Sequence, residues 1–318
     1  ETYPVWAAGS RPEGGRSRPP AGQADSQQAP ALDEVGRGLI GEEVGGLQPG
    51  KLNRLALKAL QMELGSSPAA LVPTVERLLS RHLSAPVTER LREILKVAQS
   101  AGGSAKLTAL LQTLDRLKPG EKVLIFTRHL ATLEWLRRHL SGWPVAVYHG
   151  SLSVREKDEA VNRFRNDRQV LLSTDAGGEG RNLQFCNLLV NFDLPWNPMR
   201  IEQRIGRLSR IGQERDVHIF NLSSAGSIED QILEVLDRKI NLFELVVGEL
   251  DLILGRLGDE RDLEYIIMDL VGTSASDEEA RQRIEELGVR LEGLKEDYLR
   301  VKVLDDTLFQ EVGSEQPP

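Results

Sequence analysis

Leucines recur at three- and four-residue intervals through "KLNRLALKALQMEL", "VPTVERLLSRHL", "VTERLREILKVAQS" and "SAKLTALLQTLDRL", between Lys51 and Leu117. That spacing gathers the apolar side chains on one stripe, so amphipathic helices are predicted, with "GG" and "KPG" punctuating two of them. Between Glu121 and Ser223 the pattern changes to short, nearly unbroken apolar runs: "KVLIFT", "VAVYHG", "QVLLST", "LLVNFD" and "VHIFNL". The amphipathic stretches "ATLEWLRRHL" and "SVREKDEAVNRFRN" separate the first three runs. Strands apolar on both faces and spaced by helices predict an α/β fold, a mostly parallel sheet with helices on both sides. Crossovers in such a sheet are right-handed, and ligands gather beyond the C-terminal ends of its strands. Those ends carry "FTRH", "YHGS", "STDAGGEG" and "FDLPWNP".

The chain divides into four regions. Residues 1–50, rich in Gly, Pro, Ser and Gln without an apolar period, read as a disordered or low-complexity lead. Residues 51–105 read as a helical lead-in, 106–250 as the α/β body, and 251–318 as an acidic helical tail. In the tail, "SDEE" offers Ser276 and Glu279 as a capping box. Ile284, Leu287, Leu291, Leu294, Tyr298 and Val301 then follow a 3-4-3-4-3 spacing. This seam, in a helix over residues 276–308, fits packing on its own domain or a coiled coil with a protein partner or a second copy. Gly288 and Gly293 weigh against a long free helix, at about 1 kcal/mol each relative to Ala.

At 318 residues, 40% hydrophobic and 28% charged, the chain falls in the soluble globular range and is long enough for one large or two ordinary domains. No apolar run approaches the roughly 18 residues of a membrane span. No signal peptide precedes the body, and the first residue is Glu, which fits a processed or excised product. One cysteine, Cys186, excludes an internal disulfide framework, fits a reducing cytoplasm and reads as a small core residue. The five histidines lack metal-ligand spacing, so no metal site is expected. The net charge of −8 argues against a nucleic-acid partner until its distribution is read. Residues 250–318 hold 18 acids and 8 bases, leaving 30 acids and 32 bases before them. A basic cluster around residues 200–215 therefore permits phosphate binding in a nearly neutral body.

The chemistry concentrates in a few stretches. "GGLQPGK", Gly45 to Lys51, fits the opening of a phosphate loop, but Leu52 replaces the magnesium-holding hydroxyl and no apolar strand precedes it. It reads as a chance match. "STDAGGEGRNLQ" ends a strand with Ser173 and Thr174, which could donate to phosphate oxygens. Gly177, Gly178 and Gly180 would let a backbone approach a ligand; an ordinary strand-to-helix turn reads as well. Trp196 in "NFDLPWNP" fits a packing anchor before a base-stacking platform. His149 fits turn chemistry and Arg128 a solvated base. "QRIGRLSRIGQ" places Arg204, Arg207 and Arg210 three apart with no acid among them. Alone it reads first as a solvated basic face, although arginine's planar fork also suits phosphate.

Taken in order, "VLIFTR", "YHGSLSVREKDEAVNRF", "LLSTDAGGEGRNLQFCNLLVNFDLPWNP" and "EQRIGRLSRIGQ" resemble the second, RecA-like lobe of Swi/Snf-type DNA translocases of helicase superfamily two. The likeness runs from about Leu107 to Leu250. One departure is Ser209, where close bacterial relatives often carry Asp. The resemblance implies that ATP lies between two lobes, with the phosphate loop and the magnesium-binding acids on a first lobe that this chain does not visibly contain. Arg207 and Arg210 then correspond to arginine fingers. Gln203, Arg204, Gly178, Gly180 and Asn182 are implied nucleotide contacts. Arg128, His149, Ser173 and Thr174 are implied contacts to the backbone of double-stranded DNA. The implied setting is cytoplasmic and nucleoid-associated, with no membrane. A scaffold that binds DNA or a partner without catalysis is the alternative.

Overall fold

The computed structural model describes residues 5–8, 52, 54–175, 183–209, 215–224, 227–239, 249–257, 263–274 and 276–314. The chance phosphate-loop match at Gly45–Lys51 lies outside them.

Helices α1 (Arg54–Ser66), α2 (Pro68–Leu79) and α3 (Ala85–Ser100) form the lead-in. Their leucine stripes meet in a core of their own, with Leu71, Val75, Leu91 and Ile94 almost wholly buried. Each such side chain contributes about 1.5–3 kcal/mol relative to exposure. α2 begins four residues before its leucine pattern. Ser67 takes an extended backbone, its Oγ accepts the Ala70 N–H at 3.2 Å, and Pro68 supplies a first residue that needs no N–H partner. α4 (Ala105–Leu114) comes next, capped by Ser104.

The body alternates β2 (Val123–Thr127), α5 (Leu130–His139), β3 (Val145–Tyr148), α6 (Val154–Asn166), β4 (Val170–Thr174), β5 (Leu188–Asn191), α7 (Pro198–Ile205) and β6 (Val217–Asn221). The strands lie in the order β6-β5-β2-β4-β3, and every pairing among them is parallel. Every residue of β2, β4 and β5 is buried, whereas β3 and β6 alternate. That is the signature of central strands covered on both faces and of less covered flanks. The pleat sorts side chains to two cores. Leu124, Phe126, Leu171 and Leu189 face α6, α7 and the tail helices, while Val123, Ile125, Leu172 and Val190 face α4 and α5. The parallel sheet with helices on both faces is thus the fold that the apolar runs predict.

One expectation fails at the start of the chain. Val5–Ala8, inside the lead read as disordered, forms β1 and pairs antiparallel with β6, Val5 opposite Phe220 and Ala8 opposite Val217. Four residues in Pro- and Gly-rich surroundings carry no period; the edge of β6 supplies the template.

After β6 come α8 (Ile228–Glu234), widening into a π turn over Val235–Lys239, then α9 (Glu249–Leu254), α10 (Leu263–Thr273) and α11 (Asp277–Ser314). Ser276 Oγ accepts the Glu279 N–H at 3.2 Å, as the capping signal predicts. Ile284, Leu287 and Leu291 are buried in the body's core, so the first half of the seam packs on its own domain. Val289, Leu299 and Val301 are exposed.

The lead-in is fastened to the body at the α1–α2 turn. Lys106 Nζ, at the start of α4, donates to the Gly65 and Phe192 carbonyls and to Glu229 Oε2 at 2.6 Å. Lys106 and Glu229 are each about 4% exposed. Gly65 lies directly over the carboxylate: a Cβ there would stand 2.7 Å from Glu229 Cδ. Gly65→Ala is therefore expected to destabilise the chain by about 1–3 kcal/mol. A urea midpoint unchanged from the parent would contradict this packing.

Glu63 sits buried on α1. Its Oε1 accepts from Thr74 at 2.7 Å, and Oε2 has no hydrogen-bond partner. Burial pushes its carboxyl from 4.5 up to about 7, against the smaller pull of Thr74 and Arg77. A raised folded value means that the fold holds the proton more tightly than the unfolded chain. Its contribution is full below about 4.5 and is lost as pH rises through 7. Glu63→Gln should raise the unfolding free energy at pH 8 by on the order of 1–3 kcal/mol and do little at pH 4.5. Equal effects at the two pH values in urea titrations would count against it.

Candidate functional site

Strands β2, β4 and β5 end side by side, and the residues just beyond their ends build one polar cluster. Asp193, two residues past β5, is only 2% exposed. Its Oδ2 accepts from Thr127 at 2.6 Å and from Ser66 at 2.7 Å, and its Oδ1 accepts the Arg128 N–H at 2.7 Å. Ser66 and Ser67 each lie 2.7 Å from Thr132 Oγ1. A hydroxyl has a single proton to give, and Ser66 gives its own to the carboxylate. Thr132 must therefore donate to Ser66, and Ser67 to Thr132. The chain of protons runs from the lead-in through α5 into Asp193. Burial alone would push the Asp193 carboxyl up; Arg204, His129 and these hydroxyls outweigh it and hold the group below the usual carboxylate range. The neighbouring His129 is lowered too, but by burial, which disfavours its charged form against the partial counter-pull of Asp193.

Arg204 is the cation of this cluster. α7 is capped by Asn197, whose Oδ1 accepts the Met199 N–H at 2.9 Å, starts at Pro198, and buries Ile201, Arg204 and Ile205 on one face. The guanidinium, 2% exposed, bonds Asp175 through Nε at 2.6 Å and Nη2 at 3.1 Å. Nη1 donates to Asn191 Oδ1 and to the Asp193 carbonyl, both at 2.9 Å. Nη2 stands 3.7 Å from Asp193 Oδ1, and the plane lies 5.1 Å from the Phe126 ring centroid. Asn191 passes the connection to Asn221 at 2.7 Å. Arg204 is thus fully engaged inside the protein, which corrects the expectation that it contacts nucleotide.

The residues around it stay nearer the surface. Gln203 is exposed and Arg207 half-buried, on a turn that continues α7 past Gly206. The Leu183 N–H donates to the Arg207 carbonyl at 3.3 Å. Asp175 is thus held by the Arg204 side chain and Leu183 by the Arg207 backbone. Gly177, Gly178, Gly180, Asn182 and Arg210 lie outside the described residues.

Three of the residues expected on DNA are placed otherwise. Ser173 and Thr174 are 1% and 7% exposed, because β4 runs through them into the core; Ser173 Oγ donates to the Thr174 carbonyl at 3.1 Å. Arg128 Nη2 is bound at 2.9 Å by Glu264 Oε1 of α10, which also binds Lys58 at 3.0 Å. Burial raises Glu264, and the two cations more than reverse that, holding it below its usual range. His149 is half-buried just past the end of β3, and its Nδ1 lies 2.7 Å from Ser151 Oγ. Trp196 is 1% exposed and packs in the core, and Cys186 is buried with its thiol pushed up to about 12 by that burial.

Sequence reasoning missed Asp175, Asp193 and the Lys106–Glu229 pair. A signal for Arg204 was present: Ile201, Ile205 and Leu208 surround it at helical spacing, so it occupies the middle of an apolar face.

Residues 105–212 match the helicase conserved C-terminal domain. The C-terminal part of the Fun30 ATPase domain aligns with 80% of this chain and 95% of its own, at 20% identity and a TM-score of 0.49. The RNA polymerase-associated protein RapA of Proteus mirabilis (strain HI4320) is 43% identical over 130 residues, 39% of this chain and 13% of RapA. The uncharacterized ATP-dependent helicase YqhH of Bacillus subtilis (strain 168) is 40% identical over 237 residues, 73% of this chain and 42% of YqhH. The chain thus spans less than half the length of these relatives. With that domain matched and the parallel sheet in place, the chain carries a helicase conserved C-terminal domain, the C-terminal lobe of superfamily two.

Proposed function

We propose that this chain is the second lobe of an ATP-driven translocase on double-stranded DNA, in which Arg207 and Arg210 complete an ATP site opened by a first lobe. The observation that carries this is the presentation of the arginine segment. Arg204 anchors it inward, while exposed Gln203 and half-buried Arg207 remain at the edge where parallel strands end, with the Arg207 carbonyl bonded to the Leu183 N–H. A guanidinium at that edge can meet phosphate oxygens with two parallel N–H donors. ATP brings the phosphoryl group, and positioned arginines stabilise the charge it develops, an effect of about 10³–10⁵ in rate in related NTPases. Asp175 and Asp193 are taken up by Arg204. Magnesium in this scheme is held by acids of the first lobe.

DNA is gripped by its backbone, without sequence preference and with strong salt dependence. His149 and Ser151 offer a surface for it, and Arg128 joins them once Glu264 lets go. Opening and closing of the cleft with each hydrolysis moves the lobes along the duplex. Because RapA is named for its association with RNA polymerase, a transcription complex is the first partner to try, in a cytoplasmic, nucleoid-associated setting.

In the protein carrying both lobes, Arg207→Ala should lower DNA-stimulated ATP turnover by about 10³-fold or more with little change in KM for ATP. Turnover at the parental rate would reject the finger assignment. This chain alone should show no DNA-stimulated hydrolysis. Activity of the isolated chain that Arg207→Ala removes would refute the need for a first lobe.

A further inference from the structure

We propose that Lys58 and Arg128 form a phosphate site for the backbone of double-stranded DNA, and that Glu264 of α10 occupies this site in place of phosphate while no DNA is bound. This rests on the proposed function. It adds a second cation, from the lead-in, and the anion that both cations must release.

Three segments far apart in the chain converge here. Lys58 lies on α1, Arg128 follows the last residue of β2, and Glu264 is the second residue of α10. Lys58 Nζ and Arg128 Nη2 approach the same oxygen, Glu264 Oε1, at 3.0 and 2.9 Å. Among the described residues neither cation has another ion pair, so two positive charges share one carboxylate. Their side chains are 22% and 24% exposed, within reach of a ligand from solvent. The guanidinium fork is also half used: among the described residues, the buried Arg128 Nη1 has no hydrogen-bond partner. Arginine's planar fork suits two oxygens in parallel, and a phosphate presents them. An unmade bond at a buried donor is costly, and the second oxygen of an incoming phosphate removes that cost.

The position suits a duplex. β2 and β3 both run parallel to β4, so Arg128 and His149 leave the sheet at one edge. The Arg128 N–H donates to Asp193 Oδ1 at 2.7 Å, which fixes the backbone there while the side chain can change partner. Release asks little of α10. Glu264 lies in its first turn, whereas Ile267 and Val271, further along, are buried in the body's core and hold the helix. DNA has the means to displace one carboxylate: it carries a charge about every 1.7 Å of its axis, and neutralising its phosphates frees counterions. That advantage shrinks as salt rises, and the carboxylate then regains the pair.

The test measures binding of a labelled DNA duplex to the protein that carries both lobes, over a series of salt concentrations. Glu264→Gln keeps the side chain's shape and removes its charge. It is expected to tighten binding about 5-fold or more and to steepen the slope of log K against log salt by about 1–2, one for each freed cation. Adding Lys58→Met to Glu264→Gln should take back about 1 of that slope. Glu296→Gln removes the same charge from an exposed position on α11 and should bind as the parent does. Should Glu264→Gln alone fail to fold, the double variant is compared with Lys58→Met, and the freed Arg128 still tightens binding. Parental affinity and slope in Glu264→Gln would overturn the inference, as would equal affinities in that second comparison. So would an equal gain in Glu296→Gln, or a slope that Lys58→Met leaves untouched in the Glu264→Gln background. A changed KM for ATP with DNA affinity intact would also overturn it, since nucleotide rather than DNA would then be the ligand of the pair. If the parent shows no salt-dependent binding to the duplex, the proposed function itself has failed on DNA; if the parent binds with a steep slope and Glu264→Gln adds nothing, only this inference has.

Discussion

The Arg204–Asp175–Asp193 cluster governs the end of the sheet where the strands open. A buried cation between two acids demands that every remaining lone pair and proton find a partner, since a bare charge in that setting costs several kcal/mol. The surrounding residues meet that demand. Thr127, Ser66 and the Arg128 N–H complete Asp193, while Asn191 and a carbonyl complete the guanidinium. The three strands that lend their ends to the cluster are thereby held in one register, and α7 is held at one rotation. Rotation of α7 decides which side chains of the arginine stretch look inward and which stay near the surface.

Much of this was legible in the sequence. The central strands announced themselves because burial on both faces forces unbroken apolar runs, and α6 because its stretch is amphipathic. The order of motifs was enough to identify the lobe. Less legible was anything that depends on a partner distant in the chain. β1 exists only because β6 offers an edge more than two hundred residues away. The spacing of Arg204 and Arg207 is visible in the letters, but their opposite fates depend on Asp175, which a linear reading passes over as the third letter of "STDAGG".

The burial of Ser173 and Thr174 and the ion pair of Arg128 escaped the sequence for a similar reason. Ser173 and Thr174 are hydroxyl residues at a strand end, a pattern shared by ligand-binding termini and by strands that run one step further into the core; here the strand continues through Thr174. Arg128 carries the right charge in the right place, and the tail supplies a carboxylate that no local pattern links to it. Long-range ion pairs of this kind leave no periodic trace.

The double pairing at Glu264 has a mechanical meaning. One oxygen, Oε1, serves Lys58 from the lead-in and Arg128 from the body at 3.0 and 2.9 Å. Two like charges are therefore kept close together by an anion that belongs to a third segment. Withdrawal of the tail would leave the ammonium and the guanidinium facing each other across a few ångströms with nothing between them but their mutual repulsion. The tail is accordingly a rivet at this corner, one of its oxygens joining the lead-in to the sheet.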